Sequence, residues 1–281
     1  MEANRTTGTL LGEALRRLAQ VLERPQLDAE LLLAHVLGVP RARLKSHPEE
    51  PRSAGDRERY VALVERRARG EPLAYLVGRK AFWSIELCVG PGVLVPRPET
   101  ELLVERALAL LPEAAIDAAD LGTGSGALAL ALARERPGWR ITATDVSEEA
   151  LGIARRNAAD LGITSVEFLA GDWLAPLAGR QLHLLLSNPP YVASADPALD
   201  SAPLRFEPRT ALASGPDGLA DLRRIIAAAP EHLEHGGWLL LEHGAAQARA
   251  VRGALAARGF THVRSYRDLA GLERVTEALH A

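Results

Sequence analysis

Four residues that could do chemistry, Asn188, Pro189, Pro190 and Tyr191, follow an apolar run that is typical of a buried strand. The two prolines have no backbone N–H groups and cannot continue a strand ladder. The Asn188 side-chain oxygen and the Pro189 carbonyl oxygen are therefore acceptors on a stiff backbone. A planar –NH₂ group would offer them two donors in one plane, and Tyr191 could lie flat against it. The pattern predicts a site for an amide or an aromatic amine.

Nitrogens of this kind are poor nucleophiles because their lone pair is delocalised. A frame that binds both hydrogens and aims the nitrogen at an electrophile lowers the barrier by orientation and electrostatics. A methyl group on a sulfonium, carried by an adenosine-containing cofactor such as S-adenosylmethionine, is the fitting electrophile. We therefore take Asn188, Pro189 and Tyr191 as candidate catalytic residues and, with Pro190, as candidate substrate-binding residues.

A glycine-rich segment is the second candidate site. It comes between a predicted strand and a predicted helix and consists of Gly122, Thr123, Gly124, Ser125 and Gly126. Together with Ala127 it matches the G-x-G-x-x-[G/A] pattern, in which glycines allow a tight turn and close approach to a ligand. On its own this pattern indicates an adenosine-type cofactor without saying which one.

Acidic and aromatic residues end the next two predicted strands. Asp145 lies 23 positions after Gly122, where a carboxylate is expected to accept hydrogen bonds from ribose hydroxyls. The alternative is a helix cap, although Ser147 is already a candidate for that role. Asp172 could accept from the adenine amine and Trp173 could pack against the ring. A tryptophan that only covers the sheet edge is the alternative there.

The elements that must position these residues fall into two patterns. Residues 1–80 have helical periodicity, and residues 98–281 alternate between strands and helices, which predicts an α/β domain with a doubly wound, mostly parallel sheet. Ligands bind beyond the carboxyl ends of such strands, where all the candidates lie. Residues 81–97 are predicted to form a hairpin around Gly90-Pro91-Gly92 that joins the two domains.

Composition narrows the class of protein. The net charge is −3, with 15 Lys and Arg against 11 Asp and Glu in residues 1–80 and 18 against 25 in the rest, which argues against a stable nucleic-acid partner. Cys88 is the only cysteine, so an intramolecular disulfide and a cysteine-based zinc site are excluded. We find no signal peptide and no apolar run near the roughly eighteen residues of a membrane helix, and expect a cytoplasmic protein without a membrane partner.

No metal site is predicted. His35 stands alone on the second predicted helix. Glu231, His232, Glu234 and His235 lie at a helix end, where histidines suit the helix dipole, and no third ligand is at hand.

The whole chain resembles the release-factor glutamine methyltransferase family, whose members are amino-methyltransferases with a Rossmann-like, seven-stranded domain. The resemblance covers nearly the full length, and its segments stand in the right order: RPQLDAELLLAHVLG, RRARGEPLAYLVG, VPRPETELLVE, DLGTGSGALALALA, SNPPYV, FEPRTALASGPDGL and LLLEHGAAQ.

The resemblance implies transfer of a methyl group from S-adenosylmethionine to the side-chain amide of the glutamine in the Gly-Gly-Gln motif of peptide chain release factors. It implies cofactor contacts at residues 122–126, Asp145, Trp173 and Asn188, and contacts with the substrate glutamine at residues 188–191. It also implies that the N-terminal helices, 1–80, help to dock the release factor.

Three other functions share parts of the pattern. A DNA or RNA amino-methyltransferase acting on an exocyclic base amine would share the cofactor segment and Asn188, but the acidic second domain and the lack of a target-recognition domain argue against it. An NAD-dependent dehydrogenase would share Gly122, Gly124 and Asp145 but would have no use for Asn-Pro-Pro-Tyr. Arg66, Arg67 and Arg69 motivate a non-catalytic RNA or ribosome adaptor, although a solvated helix end explains them.

Overall fold

A computed structural model describes residues 6–202 and 204–281. It divides into two compact units. One is helical and contains the described residues up to Arg79 together with those of the segment 201–206, and the other contains residues 80–200 and 207–281. The predicted boundaries were 80/81 and 97/98, so the structure differs in assigning residues 81–97 to the α/β unit and 201–206 to the helical unit.

The described part of the first unit contains five α-helices: α1 (Thr7–Leu18), α2 (Pro25–Leu37), α3 (Arg41–Ser46), α4 (Ala54–Ala68) and α5 (Leu73–Val77). Helix α2 has Pro25 in its first turn and ends at Gly38, whose φ of 64° is the left-handed conformation that closes helices. The side chain of Ser53 caps α4 by accepting from the Asp56 N–H at 3.1 Å. Leucines of α1 and α2 pack around Tyr60, which donates to the Ala29 carbonyl at 3.0 Å.

A two-stranded hairpin, β1 (Arg79–Phe82) and β2 (Ile85–Cys88), follows. Its turn consists of Trp83 and Ser84, so the hairpin turn predicted at Gly90-Pro91-Gly92 is misplaced. The chain does turn at Gly90-Pro91-Gly92, where the Val93 N–H donates to the Gly90 carbonyl at 3.1 Å, but this turn lies beyond the hairpin. The reason is a side chain from another part of the chain. Asn157 accepts from the Cys88 N–H at 2.7 Å and donates to its carbonyl at 3.0 Å, which satisfies the backbone where a longer hairpin would continue.

The second unit alternates strands and helices. Its helices are α6 (Glu101–Leu110), α7 (Ala127–Glu135), α8 (Glu148–Leu161), α9 (Ala220–Ala228) and α10 (Ala248–Ala257). Its strands are β3 (Asp117–Leu121), β4 (Arg140–Asp145), β5 (Val166–Ala170), β6 (Leu182–Ser187), β7 (Leu233–Glu242), β8 (Thr261–Arg267) and β9 (Glu273–Leu279).

These seven strands form one sheet in the order β5-β4-β3-β6-β7-β9-β8, parallel except for β9, which runs antiparallel to both neighbours. The central strands are buried on both faces, as the apolar run 184–186 of β6 requires. Chain order reverses at β3, which lies between β4 and β6, and such a switch point opens a crevice at the carboxyl ends of the strands. The predicted α/β fold with its helical N-terminal part is confirmed.

Candidate active site

A cavity of about 440 Å³ lies at the carboxyl ends of β3, β4, β5 and β6. Nine of the twelve predicted site residues line it: Gly122, Thr123, Gly124, Ser125, Asp145, Asp172, Trp173, Asn188 and Pro190. Gly126 does not line it but lies between Ser125 and Ala127, which do. Pro189 and Tyr191 lie next to its wall rather than on it. The structure therefore brings the two candidate sites together in one crevice.

Gly122 begins the glycine-rich turn after β3 with a φ of 72°. A Cβ atom there would lie 2.9 Å from the ring of Trp173, so any side chain would meet both backbone strain and a collision. The N–H groups of Gly122 and Thr123 both donate to the Thr144 carbonyl at 2.9 Å, which ties the turn to β4. The turn owes its shape to backbone contacts.

Asp145 at the end of β4 holds two backbone groups of the cavity wall. Its Oδ2 accepts from the Gly124 N–H and its Oδ1 from the Ser147 N–H, both at 2.9 Å. Ser147 itself caps α8 by accepting from the Ala150 N–H at 3.2 Å. Each carboxylate oxygen has more than one lone pair, so Asp145 can still accept from ribose hydroxyls while it orients the turn.

Asp172 and Trp173 follow β5 and contact the start of α9. Asp172 forms an ion pair with Arg224, and the indole N–H of Trp173 donates to Asp221 Oδ1 at 3.2 Å. Arg224 and Asp221 also line the cavity. Trp173 has a φ of 49°, rare for an aromatic residue, and its carbonyl accepts from the Thr144 hydroxyl at 3.0 Å.

Asn188 follows the buried end of β6, where the Ser187 hydroxyl donates to the Leu121 carbonyl at 2.7 Å. The Asn188 amide nitrogen donates to the hydroxyl oxygen of Thr100 at 3.0 Å. Because this nitrogen is engaged by Thr100, the amide oxygen is the acceptor that remains for a ligand in the cavity.

Tyr191 is held from both ends. Its hydroxyl donates to Glu242 Oε1 at 3.3 Å, and its carbonyl accepts from the amide nitrogen of Gln247 at 2.9 Å. A side chain at Gly218 would collide with that carbonyl, so the segment after Pro190 lies in a close-fitting groove. Burial raises the pKa of Tyr191 above its usual value of 10.0, and the Glu242 carboxylate raises it further, which keeps the phenol neutral.

Two carboxyl groups near the cavity are fully buried. Burial raises the pKa of Asp120 to about 7. The Thr123 hydroxyl, which donates to Oδ2 at 2.6 Å, lowers this pKa, but its effect is smaller than that of burial. Burial likewise raises the pKa of Glu242 to about 7. Oδ1 of Asp120 and Oε2 of Glu242 have no hydrogen-bond partner among the described residues. Buried polar atoms without a partner lower the stability of a folded protein and are often found at functional sites.

Glu207 connects two segments that line the cavity. Its side chain is fully buried, accepts from the Val95 N–H at 2.9 Å and forms an ion pair with Arg97. Pro208, Thr210 and Ala211, which follow it, line the cavity. One buried carboxylate thus joins two segments that are more than a hundred residues apart.

Two family models match the chain: the PrmC N-terminal domain over residues 9–78 and the methyltransferase small domain over residues 98–203. A release factor glutamine methyltransferase from Pseudomonas aeruginosa is 51% identical over 253 residues, which cover 89% of this chain and 91% of that protein. Another from Xylella fastidiosa is 50% identical over 261 residues, covering 92% and 95%. The chain belongs to the release factor glutamine methyltransferase family.

A solved methyltransferase from Pyrococcus furiosus shares the fold, with a TM-score of 0.55 and 18% identity over 77% of this chain and 98% of that chain. The predicted family, fold and methyltransferase activity of the chain are confirmed. These comparisons do not favour a dehydrogenase or a nucleic-acid amino-methyltransferase. Arg66 and Arg67, which suggested an RNA adaptor, form ion pairs with Glu71 and Asp28.

Within residues 6–202 and 204–281 there is no group of three or more His, Cys, Asp or Glu side chains that could hold a metal ion. No helix in that same part of the chain is long and apolar enough to span a bilayer.

Sequence reasoning missed five residues of this methyltransferase site: Thr100, Glu207, Asp221, Arg224 and Glu242. Thr100 belongs to the segment VPRPETE, whose acidic residues suit the start of a helix. The family resemblance also implies that this segment lines the cofactor pocket, and the Thr100 hydroxyl contacts Asn188. The signal for Glu242 was its position directly after the apolar run 239–241. No local pattern indicated Asp221 or Arg224.

Proposed function

We propose that this chain methylates the side-chain amide nitrogen of the glutamine in the Gly-Gly-Gln motif of peptide chain release factors, with S-adenosylmethionine as methyl donor. The name shared by the curated relatives supports the substrate. One observation supports the chemistry most directly: the Asn188 amide nitrogen donates to the Thr100 hydroxyl oxygen at 3.0 Å. The amide oxygen of Asn188 is therefore left as an acceptor in the cavity. We expect the enzyme to meet this substrate in the cytoplasm.

The residues of the cavity fit the proposed cofactor. A Cβ at Gly124 would meet no atom within 4 Å, so the backbone there is open to close approach by a ligand, and the free lone pairs of Asp145 suit a ribose. Trp173 offers an indole to an adenine ring, and Asp172 offers a carboxylate to its amine. We propose the cofactor-binding set Gly122, Thr123, Gly124, Ser125, Gly126, Asp145, Asp172, Trp173 and Asn188.

Asn188, Pro189, Pro190 and Tyr191 are the proposed substrate-binding residues. The oxygens of Asn188 and Pro189 accept the two hydrogens of the glutamine amide, and the neutral Tyr191 ring packs beside it. S-adenosylmethionine, when bound, supplies a methyl group on a sulfonium sulfur, and the glutamine nitrogen gains that methyl as it loses one proton. Holding the nitrogen in line is the contribution of Asn188, Pro189 and Tyr191 to the rate.

The experiment that tests this function uses the full chain, labelled S-adenosylmethionine and intact release factor. We expect label on the release factor and none on a release factor whose Gly-Gly-Gln glutamine is replaced by glutamate. Equal labelling of that variant, or labelling of DNA or RNA instead, would contradict the proposed substrate.

The helical unit is proposed to dock the release factor. It has a core of its own, and a lone glutamine buries too little surface for a stable protein complex. A chain that begins near Ala81 should bind S-adenosylmethionine and methylate a short Gly-Gly-Gln peptide, but it should lose most of its activity on intact release factor. Equal activity of the short and full chains on intact release factor would exclude the docking role.

A further inference from the structure

Gln247 ends the segment LLLEHGAAQ and directly precedes helix α10, and it does not line the cavity. Its backbone is fixed on both sides, because its N–H donates to the Gly244 carbonyl at 2.8 Å and its carbonyl accepts from the Val251 N–H at 3.0 Å. The Gln247 side chain therefore starts from a rigid point at the beginning of a helix. From there it reaches the backbone of Tyr191.

The side-chain amide of Gln247 connects three segments of the chain. Its Oε1 accepts from the Gly244 N–H at 2.8 Å, and its Nε2 donates to the Tyr191 carbonyl at 2.9 Å. Nε2 also lies 3.3 Å from the Gly218 carbonyl and 3.4 Å from the Asp217 carbonyl. Backbone N–H groups only donate and carbonyl oxygens only accept, so these partners determine which end of the amide faces Tyr191.

The peptide group between Tyr191 and Val192 is held on both of its sides. Its carbonyl accepts from Gln247, and its N–H, which belongs to Val192, donates to the Leu212 carbonyl at 2.9 Å. A Cβ atom at Gly218 would overlap both the Tyr191 carbonyl oxygen and Gln247 Nε2, so no side chain fits beside this contact. Because a peptide group is planar, fixing both of its ends fixes the direction in which the chain leaves Tyr191.

The two prolines make such an external donor important. Pro189 and Pro190 have no N–H groups, so the backbone of the proposed substrate site cannot be tied down by donors of its own at these positions. The segment is instead held at its ends. Asn188 donates to Thr100 at one end, and the Tyr191 carbonyl accepts from Gln247 at the other.

We propose that Gln247 is a positioning residue: by holding the Tyr191 carbonyl it fixes residues 188–191 in the geometry that receives the substrate amide. This inference rests on the proposed function for its catalytic consequence. The order of the Tyr191–Val192 peptide group is a property of the free protein and can be measured without any substrate.

Two substitutions test the donor. Q247E keeps the shape of the side chain and an acceptor for the Gly244 N–H, but an ionised carboxylate cannot donate and would repel the Tyr191 carbonyl. Q247M removes the donor without adding a charge. We expect kcat on the release factor to fall about 10- to 100-fold in both, and further in Q247E, which is the scale of a misplacement of roughly 1 Å at the reacting group. KM for S-adenosylmethionine should change little, because the glycine-rich turn is held by Thr144 and Asp145 rather than by Gln247.

Gln181 provides a control with the same chemistry. Its amide nitrogen donates to the Glu231 carbonyl at 2.8 Å, but it precedes β6 at the end opposite to Asn188 and does not line the cavity. Q181E therefore loses the same kind of hydrogen bond with the same change in net charge, and we expect its kcat to equal that of the wild type. Equal kcat for Q247E and Q181E, or wild-type turnover in Q247M, would overturn the proposal.

A second readout does not depend on activity. Hydrogen exchange of the Val192 N–H, followed by NMR in the free protein, reports on the peptide group that Gln247 holds. We expect faster exchange in Q247E and Q247M than in the wild type, and unchanged exchange in Q181E. Unchanged exchange of Val192 in folded Q247E and Q247M would overturn the positioning role. A wild-type enzyme that is inactive on release factor would contradict only the proposed function.

Discussion

The two halves of the cavity are held together in different ways. The glycine-rich half, 122–126 with Asp145, is fixed by backbone hydrogen bonds to the Thr144 carbonyl and by the Asp145 carboxylate, both at the end of the neighbouring strand β4. The Asn188 half, Asn188 to Tyr191, is fixed by side chains from distant segments, Thr100 and Glu242. The first half should therefore respond to substitution through backbone strain and binding, and the second through turnover.

The largest expected effect is in the Asn188 half. Asn188→Ala removes the proposed acceptor for the substrate amide, and we expect kcat to fall at least about 10²-fold, the scale of losing one preorganised polar group. Affinity for S-adenosylmethionine, measured by calorimetry, should change much less. An enzyme with near wild-type turnover would show that the two halves do not divide their tasks in this way.

Asp145→Ala should act on binding instead. The variant loses the proposed ribose acceptor and frees the Gly124 and Ser147 N–H groups, so we expect S-adenosylmethionine binding to weaken by about 1.5–3 kcal/mol. The control is Asp160→Ala, which removes an exposed carboxylate from α8 with the same change in net charge. If calorimetry gives equal affinities for both folded variants, the ribose role is wrong.

Two glycines of the same turn allow the cost of backbone strain to be measured separately from the cost of a steric collision. Gly122 and Gly124 both have positive φ, 72° and 55°, but only at Gly122 would a Cβ meet the Trp173 ring. Gly122→Ala should therefore lower the free energy of unfolding by about 1 kcal/mol more than Gly124→Ala, the low end of the cost of overpacking. Equal chemical denaturation midpoints would mean that the ring moves aside freely.

The last comparison concerns pH and Asp120. Its folded-state pKa of about 7 lies above the unfolded value of 3.8, so between these values the native state holds a proton that the unfolded state has released. Stability from this group is therefore present below about pH 4 and is lost as pH rises through 7. Burial lowers the pKa of His243 below its usual value of 6.5, so the contribution of this group to stability rises as pH increases toward 6.5.

Comparison with Asp120→Asn isolates the Asp120 contribution. Wild-type Tm should fall between pH 5 and pH 8 by more than the Tm of the variant, because asparagine cannot ionise. Parallel Tm curves would mean that Asp120 keeps an ordinary pKa in the folded protein.

The sequence predicted the glycine-rich half of the cavity more fully than the residues that support the Asn188 half. The glycine turn, Asp145 and Asn188 each end a strand, and strand ends are visible from apolar runs and glycines nearby in the chain. Thr100 reaches Asn188 from 88 residues away, and Glu207 reaches Val95 across 112, so no local pattern could pair them. The misplaced hairpin turn has the same cause, because Asn157 satisfies the Cys88 backbone from 69 residues away.

The segment 201–206 has a consequence for synthesis on the ribosome. Ala202 lies against Gly70, and Arg205 donates to the Arg69 carbonyl, so the helical unit is completed by residues made long after its helices. The 127 residues from Arg79 to Phe206 take roughly 6–25 s to translate at bacterial rates. During that delay β3 to β6 emerge while the helical unit still lacks its last piece, so a stalled nascent chain of about 200 residues should be more protease-sensitive near Gly70 than the finished protein.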